Sequence, residues 1–162
     1  MDMLDTKWKQ LKSGTDIRGV AVEGVEGQQV NLTPTEVERI THGFVLWMQQ
    51  KNGDKPLKIA VGNDSRISGP WIREAVLKAL ERDGVQAICC GLASTPAMFM
   101  TTVLIGCDGA IQITASHHPF YRNGLKFFWT YGGLGGTDIV NILEAAQKGD
   151  MPEEREGSVE EL

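Results

Sequence analysis

The segment KIAVGNDSRISGPWIREAVLKALERDGVQAICCG, residues 58–91, gives the clearest indication of the fold. Lys58 to Val61 and Ala87 to Cys90 are short apolar runs of the kind that form buried strands. Between them, Gly69-Pro70 is typical of a helix start and Gly84 of a helix end. The helix presents one apolar face, formed by Ile72, Ala75, Val76, Ala79 and Leu80. A strand, a helix and a second strand in succession predict a right-handed crossover between parallel strands.

The rest of the chain alternates helices and strands in the same way. Thr33-Pro34-Thr35-Glu36 is a capping-box pattern that opens a helix, and Asn52-Gly53 ends it. Thr95-Pro96 is expected to cap another helix that ends near Gly106, and a last helix is predicted from about Asp138 to Lys148. Further strands are predicted at Ala110–Ile113 and Leu125–Trp129, and a hairpin at Ile17–Val22 and Gln28–Asn31. The pattern predicts a three-layer α/β/α sandwich with a mixed, mostly parallel sheet, in which the two strands around residues 114–124 are either antiparallel or parallel with an irregular connection.

Bulk composition is that of a folded domain and argues against several classes of function. The 162 residues are 41% hydrophobic and 23% charged, which is ordinary for a globular protein. A net charge of −5 gives no general attraction for nucleic acid, and no apolar run approaches the ~20 residues of a membrane span. Cys89, Cys90 and Cys107 have no C-x-x-C spacing, and Met1 to Gln10 has no secretory-signal pattern. We therefore expect a reduced, cytoplasmic protein with no nucleic-acid or membrane partner.

The expected domain covers residues 1–149. Residues 150–162 are rich in acidic side chains and poor in apolar ones, so they are predicted to be a loose tail or an interdomain linker. His42 lies on the first long helix with no partner in view, and we expect it at the surface.

The segment TASHHPFYRNGLK, residues 114–126, carries the strongest functional signal. It places Ser116 on a loop after a buried strand, beside two histidines, with Lys126 on the strand that follows. Phosphoryl transfer depends on positioning and charge stabilisation, so an exposed hydroxyl among cationic groups suits a phosphoryl carrier. A capped turn with solvated histidines is the alternative. A serine hydrolase is disfavoured because no G-x-S-x-G elbow is present, and a sequential His-His pair lacks the usual spacing of metal ligands.

Two further polar segments are expected to join Ser116 at one edge of the sheet, and a third contains a candidate phosphate ligand. Ligands of open α/β sheets bind beyond the carboxyl ends of the strands. Residues 62–68, GNDSRIS, and 91–96, GLASTP, both follow predicted strands. Residues 13–19, SGTDIRG, contain Arg18, whose planar guanidinium suits a phosphate. The alternatives are an exposed strand entry for the last segment, and an Asx-turn or a helix cap for the other two.

Taken together, these segments resemble the α-D-phosphohexomutases, the phosphoglucomutase/phosphomannomutase family. The family's T-x-S-H-x-P…N-G-x-K pattern is matched by Ser116, His117, Pro119, Asn123, Gly124 and Lys126. Residues 62–68 resemble its G-x-D-x-R-x-S segment, and residues 13–19 resemble its N-terminal arginine motif, with Asp16 where a glycine is usual or with the spacing one residue short. His118 stands where many members carry asparagine.

The resemblance implies a function and a set of roles. It implies the N-terminal domain, domain I, of an enzyme that interconverts hexose 1-phosphate and 6-phosphate through a phosphoserine and a hexose bisphosphate. Ser116 carries the phosphate, Lys126 is the general base and acid, and His117 gives electrostatic support. Residues expected to bind phosphate or support the site are Arg18, Asp64, Arg66, Thr114, His118 and Asn123.

The resemblance also implies partners outside this segment. Family members have four domains, and Mg²⁺ is held by the Ser116 phosphate and mainly by an aspartate-rich loop of the second domain, which this chain lacks. The expected partners are a phosphosugar and the remaining domains of the same chain, and the domain alone is expected to be inactive. A phosphoglucosamine mutase domain and a non-catalytic phosphosugar-binding module are the alternatives.

Overall fold

A computed structural model describes residues 4–162, so the first three residues of the predicted domain lie outside it. The elements in chain order are α1 (Thr6–Lys9), β1 (Lys12–Ser13), β2 (Asp16–Val20), α2 (Pro34–Asn52), β3 (Lys58–Asn63), α3 (Gly69–Arg82), β4 (Gln86–Leu92), α4 (Thr95–Leu104), β5 (Gly109–Ile113), β6 (Arg122–Trp129), β7 (Gly132–Gly133), α5 (Gly136–Lys148) and β8 (Ser158–Glu161). Among the described residues no helix is long and apolar enough to cross a membrane.

The strands form one mixed sheet in the order β1-β2-β6-β5-β3-β4-β8. The short strand β7 pairs with the C-terminal end of β6, at Phe128 and Trp129. β5, β3, β4 and β8 are mutually parallel, as expected for strands joined by helical crossovers. β5 and β6 pair antiparallel, which settles the orientation of the two strands around residues 114–124. β6 in turn pairs antiparallel with β2. The carboxyl ends of β3, β4 and β5 therefore meet at one edge of the sheet, where the polar segments lie.

Helices cover both faces of the sheet, which confirms the predicted three-layer sandwich. On one face α2, α3 and α5 pack with the inward residues of β3, β5 and β6 in the larger hydrophobic cluster. On the other face α4 packs over a smaller cluster that includes Ala60, Met98, Ala110 and Phe128. Consecutive residues of β3 and β5 alternate between the two clusters, because side chains of a strand point alternately to opposite faces.

The capping patterns predict the helix starts well. Thr33 and Glu36 form the expected capping box at α2. At α4 the cap is Ser94, whose Oγ accepts a hydrogen bond from Ala97 N, and not Thr95, which is already the first helical residue. Serine and threonine are both favoured at the N-cap position, so the sequence does not show which of the two adjacent residues caps the helix.

The predicted hairpin is wrong in its second strand. Residues 28–31 form no strand, although the backbone N–H groups of Asn31 and Leu32 both donate to Val20 O. β1 covers Asp16 and Ile17, and at Val20 the side-chain oxygen of Asn31 takes the backbone N–H, so residues 28–31 meet this edge of β2 at one residue and no strand pairing forms. The alternation in residues 28–31 was too short a signal to distinguish a strand from an extended loop.

The acidic tail is not loose along its whole length. Residues 158–161 form β8, which pairs in parallel with Gln86–Cys89 at the outer edge of β4. The β8 side chains are all exposed, so hydrophobic patterning gives no sign of the strand. Backbone pairing, with one side-chain hydrogen bond from Gln86 Nε2 to Glu160 Oε1, explains it, because the edge of β4 presents N–H and C=O groups that need partners. The boundary after residue 149 remains a prediction.

His42 is buried, contrary to the expected surface position. Its Nδ1 lies 2.7 Å from Asp83 Oδ2, and both side chains are almost fully enclosed. Asp83 follows α3, so this buried pair joins α2 to the end of the neighbouring helix. The partner is 41 positions away in the sequence, which is why no local pattern indicates it.

Candidate active site

Ser116 lies on the loop between β5 and β6, at the carboxyl edge of the sheet. Its side chain is exposed, as the carrier prediction requires. Its backbone φ is 52°, and within residues 4–162 it is the one non-glycine residue with a positive φ. Left-handed backbone at a residue with a side chain is uncommon and persists where surrounding contacts enforce it. The contacts that hold Ser116 in this conformation should therefore be visible around the loop.

A short chain of hydrogen bonds fixes the backbone of Ser116 from below. Ser116 N donates to Thr114 Oγ1 at 3.0 Å, and that hydroxyl donates to Asp64 Oδ2 at 2.6 Å. The other oxygen of Asp64 accepts from the backbone N–H of Arg66 at 3.1 Å. Thr114 and Asp64 thus support the loop rather than face a ligand.

Arg66 holds the loop from the side. Its Nη1 donates to the carbonyl oxygens of Pro119 and Arg122 at 2.8 and 3.0 Å. Its Nη2 donates to the carbonyl oxygens of Ser116 and His118 at 2.7 and 2.8 Å. One planar guanidinium therefore ties four carbonyl groups of the loop together, a task that suits its fixed fork of donors. Since Nη1 and Nη2 are occupied in this way, Arg66 is a clamp on the loop and not a free phosphate ligand.

Arg18 is the cation that reaches the serine hydroxyl. Its Nη2 donates to Ser116 Oγ at 3.3 Å and to Asp16 Oδ2 at 3.0 Å, while Nη1 lies 2.8 Å from His118 Nε2. Guanidinium groups bind phosphate oxygens through paired N–H donors. The structure therefore brings Arg18 to the position from which it could contact a phosphate on Ser116.

Lys126 lies on β6 beside this arginine and is paired with a carboxylate. Its Nζ donates to Asp16 Oδ1 at 2.9 Å, and in the described part of the chain Ser116 Oγ is not among its hydrogen-bond partners. The register of β2 and β6 pairs Ile17 with Leu125, so Asp16 is the next residue opposite Lys126. Lys126 thus belongs to the same charged cluster as Arg18, through their shared contact with Asp16.

Two positively charged groups face the ring of His118. Nε2 lies 2.8 Å from Arg18 Nη1, and Nδ1 accepts from Arg122 Nε at 3.1 Å. Partial burial lowers the pKa of His118, and Arg18, Arg122, His117 and Arg66 lower it further by repelling a charged imidazolium. The neutral ring is therefore favoured, and it separates two arginines that would otherwise repel each other.

The depressed pKa of His118 predicts a loss of stability in acid. In the unfolded chain a histidine protonates near pH ~6.5, whereas in the folded protein it does so only at lower pH. As the pH falls below that value, the unfolded state binds more protons, so the stability from neutral His118 is lost as the pH approaches its folded pKa. Urea unfolding of the wild type and of His118→Asn between pH 8 and 4 measures this. The wild type should lose stability relative to the variant on acidification, and a difference that is independent of pH would contradict the assignment.

His117 and Asn123 are placed differently from each other. The His117 ring is exposed and contacts the His118 ring edge-on, with centroids 5.4 Å apart, so it is free to meet a ligand. Asn123 is fully buried: its Nδ2 donates to Ser68 Oγ at 2.9 Å and its Oδ1 accepts from Gly124 N. Asn123 therefore braces β6 against the start of α3 and does not reach a phosphate on Ser116.

Gly124 creates the space through which Arg18 reaches the serine. The two residues are direct neighbours across the β2–β6 pair. A Cβ atom on Gly124 would lie 2.9 Å from Arg18 Cγ and would overlap the carbonyl oxygen of Ile17. No real Cβ is found so close to a backbone oxygen, so any side chain here must displace β2 or the arginine.

Gly124→Ala is accordingly expected to impair both packing and site geometry. Overpacking of this kind costs about 1–3 kcal/mol of stability, and the displaced guanidinium should weaken phosphate binding at Ser116. Thermal unfolding and titration with inorganic phosphate measure the two effects. Gly133→Ala is the matched control, because a Cβ there meets no atom within 4 Å. Equal behaviour of the two variants would show that Gly124 has no special role.

Two residues of the site were not predicted from the sequence. Asp16 was noted only as a departure from a motif, yet it contacts both Arg18 and Lys126. Arg122 belongs to no motif, and it joins the site through its bond to His118 and through its carbonyl oxygen, which accepts from Arg66. The alternation of strand residues could have placed Asp16 and Arg18 on one face of β2, because residues two apart point the same way.

The carboxylates nearest to Ser116 are already engaged. Both oxygens of Asp16 bind cations, and both oxygens of Asp64 accept hydrogen bonds. In residues 4–162 there is no group of three or more His, Cys, Asp or Glu side chains arranged to hold a metal ion. Ser116, through its phosphate, as the ligand of Mg²⁺ therefore stays a prediction from the family resemblance.

Comparison with known proteins gives a consistent result. Residues 9–153 match the family described as phosphoglucomutase/phosphomannomutase, alpha/beta/alpha domain I. A phosphoglucosamine mutase from Helicobacter pylori is 40% identical over 111 residues, which cover 68% of this chain and 24% of that protein. A phosphoglucosamine mutase from Lacticaseibacillus casei is 32% identical over 145 residues, or 88% of this chain and 30% of that protein. The chain thus spans about a quarter to a third of the length of these relatives.

A solved structure shares the fold. The crystal structure of a phosphoglucomutase/phosphomannomutase family protein from Burkholderia thailandensis superposes with a TM-score of 0.79. The two chains are 23% identical, and the match covers 98% of this chain and 33% of that one. At this level of identity the match supports the three-layer fold and says nothing further about the sugar.

Proposed function

The chain belongs to the phosphoglucomutase/phosphomannomutase family, and on that basis we propose that it is the N-terminal, phosphoserine-bearing domain of a phosphohexomutase. The observation that carries the proposal is the setting of Ser116. An exposed hydroxyl lies 3.3 Å from an arginine, on a loop whose backbone is held by Arg66 and Thr114. A group that accepts and returns a phosphoryl needs this combination of access, fixed position and positive charge.

The proposed reaction has two phosphoryl transfers, the first from Ser116 to the sugar and the second from the sugar to Ser116. When phospho-Ser116 meets a hexose monophosphate, a bond forms between phosphorus and a sugar hydroxyl oxygen while the bond from phosphorus to Ser116 Oγ breaks. Lys126, acting as the general base, takes the hydroxyl proton. The bisphosphate then turns, Ser116 Oγ takes its other phosphate, and Lys126 returns the proton to the sugar oxygen that is released. Arg18 offers N–H donors to the transferred group, and His117 adds a polar contact at the exposed side of the loop.

Mg²⁺ and further domains are part of the same proposal. The metal would supply charge stabilisation to the transferred phosphoryl, and Ser116 would hold it through phosphate oxygens. Most of the metal and sugar contacts would come from the remainder of a longer chain, in keeping with the share of the relatives that this segment spans. The domain alone should therefore bind phosphate but turn over little substrate.

A cytoplasmic location is also part of the proposal. The three thiols are unpaired, in keeping with a reducing cytoplasm.

The identity of the sugar divides the proposal into two candidates. A mannose or glucose phosphate was predicted from the resemblance, whereas the curated relatives just described are named phosphoglucosamine mutases, which favours glucosamine phosphate as the second candidate. The experiment is a side-by-side assay of the longest chain that the gene encodes with mannose, glucose and glucosamine phosphates. The ratio of kcat/KM values decides between the candidates, and no turnover of any of the three would reject the mutase proposal.

A non-catalytic phosphosugar-binding module is the remaining alternative. It would bind sugar phosphates through Arg18 without forming a covalent bond to Ser116. The two readings differ in one observable, since only the mutase exchanges labelled phosphate between protein and sugar.

A further inference from the structure

One carboxylate links the two cations that flank Ser116. Oδ2 of Asp16 accepts from Arg18 Nη2 at 3.0 Å, and Oδ1 accepts from Lys126 Nζ at 2.9 Å. Asp16 is 8% exposed, and the two cationic side chains are themselves partly enclosed. These are not solvated surface pairs, which usually contribute little, because each partner is held in one geometry by the sheet.

The sheet register makes this arrangement specific to position 16. Arg18 is two residues further along β2, on the same face, and Lys126 is the cross-strand neighbour expected from the pairing of Ile17 with Leu125. Gly124, opposite Arg18, leaves the space for the guanidinium to cross β6 towards Ser116. A carboxylate, with its two acceptor atoms, touches both cations from this point.

The charges around the serine show what Asp16 contributes. Four cationic side chains, Arg18, Arg66, Arg122 and Lys126, surround the loop, and Arg66 is already committed to loop carbonyls and paired with Asp64. Arg18 and Lys126 share a single carboxylate, so without it they would lie close together with no anion between them. Like charges at such a separation repel, and the side chains would move apart and away from the serine.

We propose that Asp16 is a positioning residue of the phosphoryl-transfer site, which holds Arg18 against Ser116 and Lys126 at the substrate side of the loop. This inference rests on the proposed function of Ser116. In the transfer step the phosphorus–Oγ bond breaks as a bond from phosphorus to the sugar hydroxyl oxygen forms, and the hydroxyl proton passes to the unprotonated form of Lys126, so the Arg18 and Lys126 side chains must both be in place at once. Asp16 touches neither phosphate nor sugar, and it acts through the two side chains that do.

The test compares Asp16→Asn and Asp16→Glu in the longest chain that the gene encodes. Asparagine keeps the shape but offers one acceptor and one donor, so it can serve only one of the two cations. It should lower kcat by about 10- to 100-fold while KM changes by less than about 3-fold, because positioning for transfer is lost and not binding. Glutamate restores the second acceptor and should recover most of the lost rate. Asp54→Asn makes the same charge change at an exposed site paired with Arg155, and it should leave kcat unchanged.

A second measurement does not depend on catalysis. The rate at which an acylating reagent modifies the Lys126 amine, followed by mass spectrometry on the 162-residue chain, should rise several-fold in Asp16→Asn and not in Asp54→Asn. An unchanged modification rate, or wild-type kcat in Asp16→Asn, would overturn the inference. So would a glutamate variant no better than the asparagine one, since that would indicate a merely structural role. If Ser116→Ala remains active, the proposed function itself fails, and this result is distinguishable from failure of the Asp16 inference alone.

Discussion

Ser116→Ala is expected to abolish exchange of phosphate between the protein and sugar phosphates. Ser116 Oγ is the exposed hydroxyl of the loop and the atom that Arg18 contacts at 3.3 Å. Without it no covalent carrier exists, and the loss of a covalent nucleophile typically lowers kcat by at least about 10⁴-fold. The measurement is the interconversion of hexose 1-phosphate and 6-phosphate by the longest chain that the gene encodes.

Ser116→Gly separates the missing hydroxyl from a disturbed loop. Glycine adopts the positive φ of 52° without steric cost, so this variant should fold at least as stably as the alanine variant. Both should be inactive, and both should keep a wild-type circular dichroism spectrum. Activity near wild type in either variant would reject the carrier role.

Arg66→Lys is expected to have the second largest effect. Lysine keeps the positive charge but cannot span four carbonyl oxygens, which Arg66 reaches with two nitrogens. The carbonyls of residues 116, 118, 119 and 122 lose most of their partners, and the left-handed backbone at Ser116 loses its support. A displacement of the serine by about 1 Å would lower kcat by roughly 100-fold.

Hydrogen exchange measures the effect of Arg66→Lys directly on the loop. Amides of residues 114–122 should exchange faster in the variant, while amides of β3 and β4 should not change. Arg39→Lys is the matched control, since Arg39 donates to the carbonyl of Gln147 on the helical face far from the loop. If the loop stays protected and kcat stays within about 2-fold of wild type, Arg66 is not the clamp that the geometry indicates.

The parts of the fold that could be predicted are those that local sequence patterns indicate. Residues 58–91 form the expected strand, helix and strand, and the capping box at Thr33 and Glu36 is present. The errors concern backbone pairing between distant segments. β8 pairs at the sheet edge with exposed side chains, and residues 28–31 meet β2 only at Val20, where the side chain of Asn31 takes the backbone N–H. Hydrophobic periodicity carries no information about such pairings.

The site shows the same division between local and distant information. Motif spacing predicted that Arg18, Asp64, Arg66 and Thr114 would converge on Ser116, and the structure brings them together. Motifs could not tell that Arg66 binds carbonyls, that Asn123 is buried, or that Asp16 bridges two cations, because these depend on side-chain direction and strand register. The hydrogen bond between His42 and Asp83 could not be predicted for the same reason.

The most direct test of the account is to identify the atom that carries phosphate. The longest chain that the gene encodes is incubated with a labelled hexose bisphosphate, and the labelled peptide is located by mass spectrometry. We expect a single phosphate on Ser116, which is released when hexose monophosphate is added. Interconversion of sugar phosphates with the label on another residue, or with no label on the protein, would contradict the account.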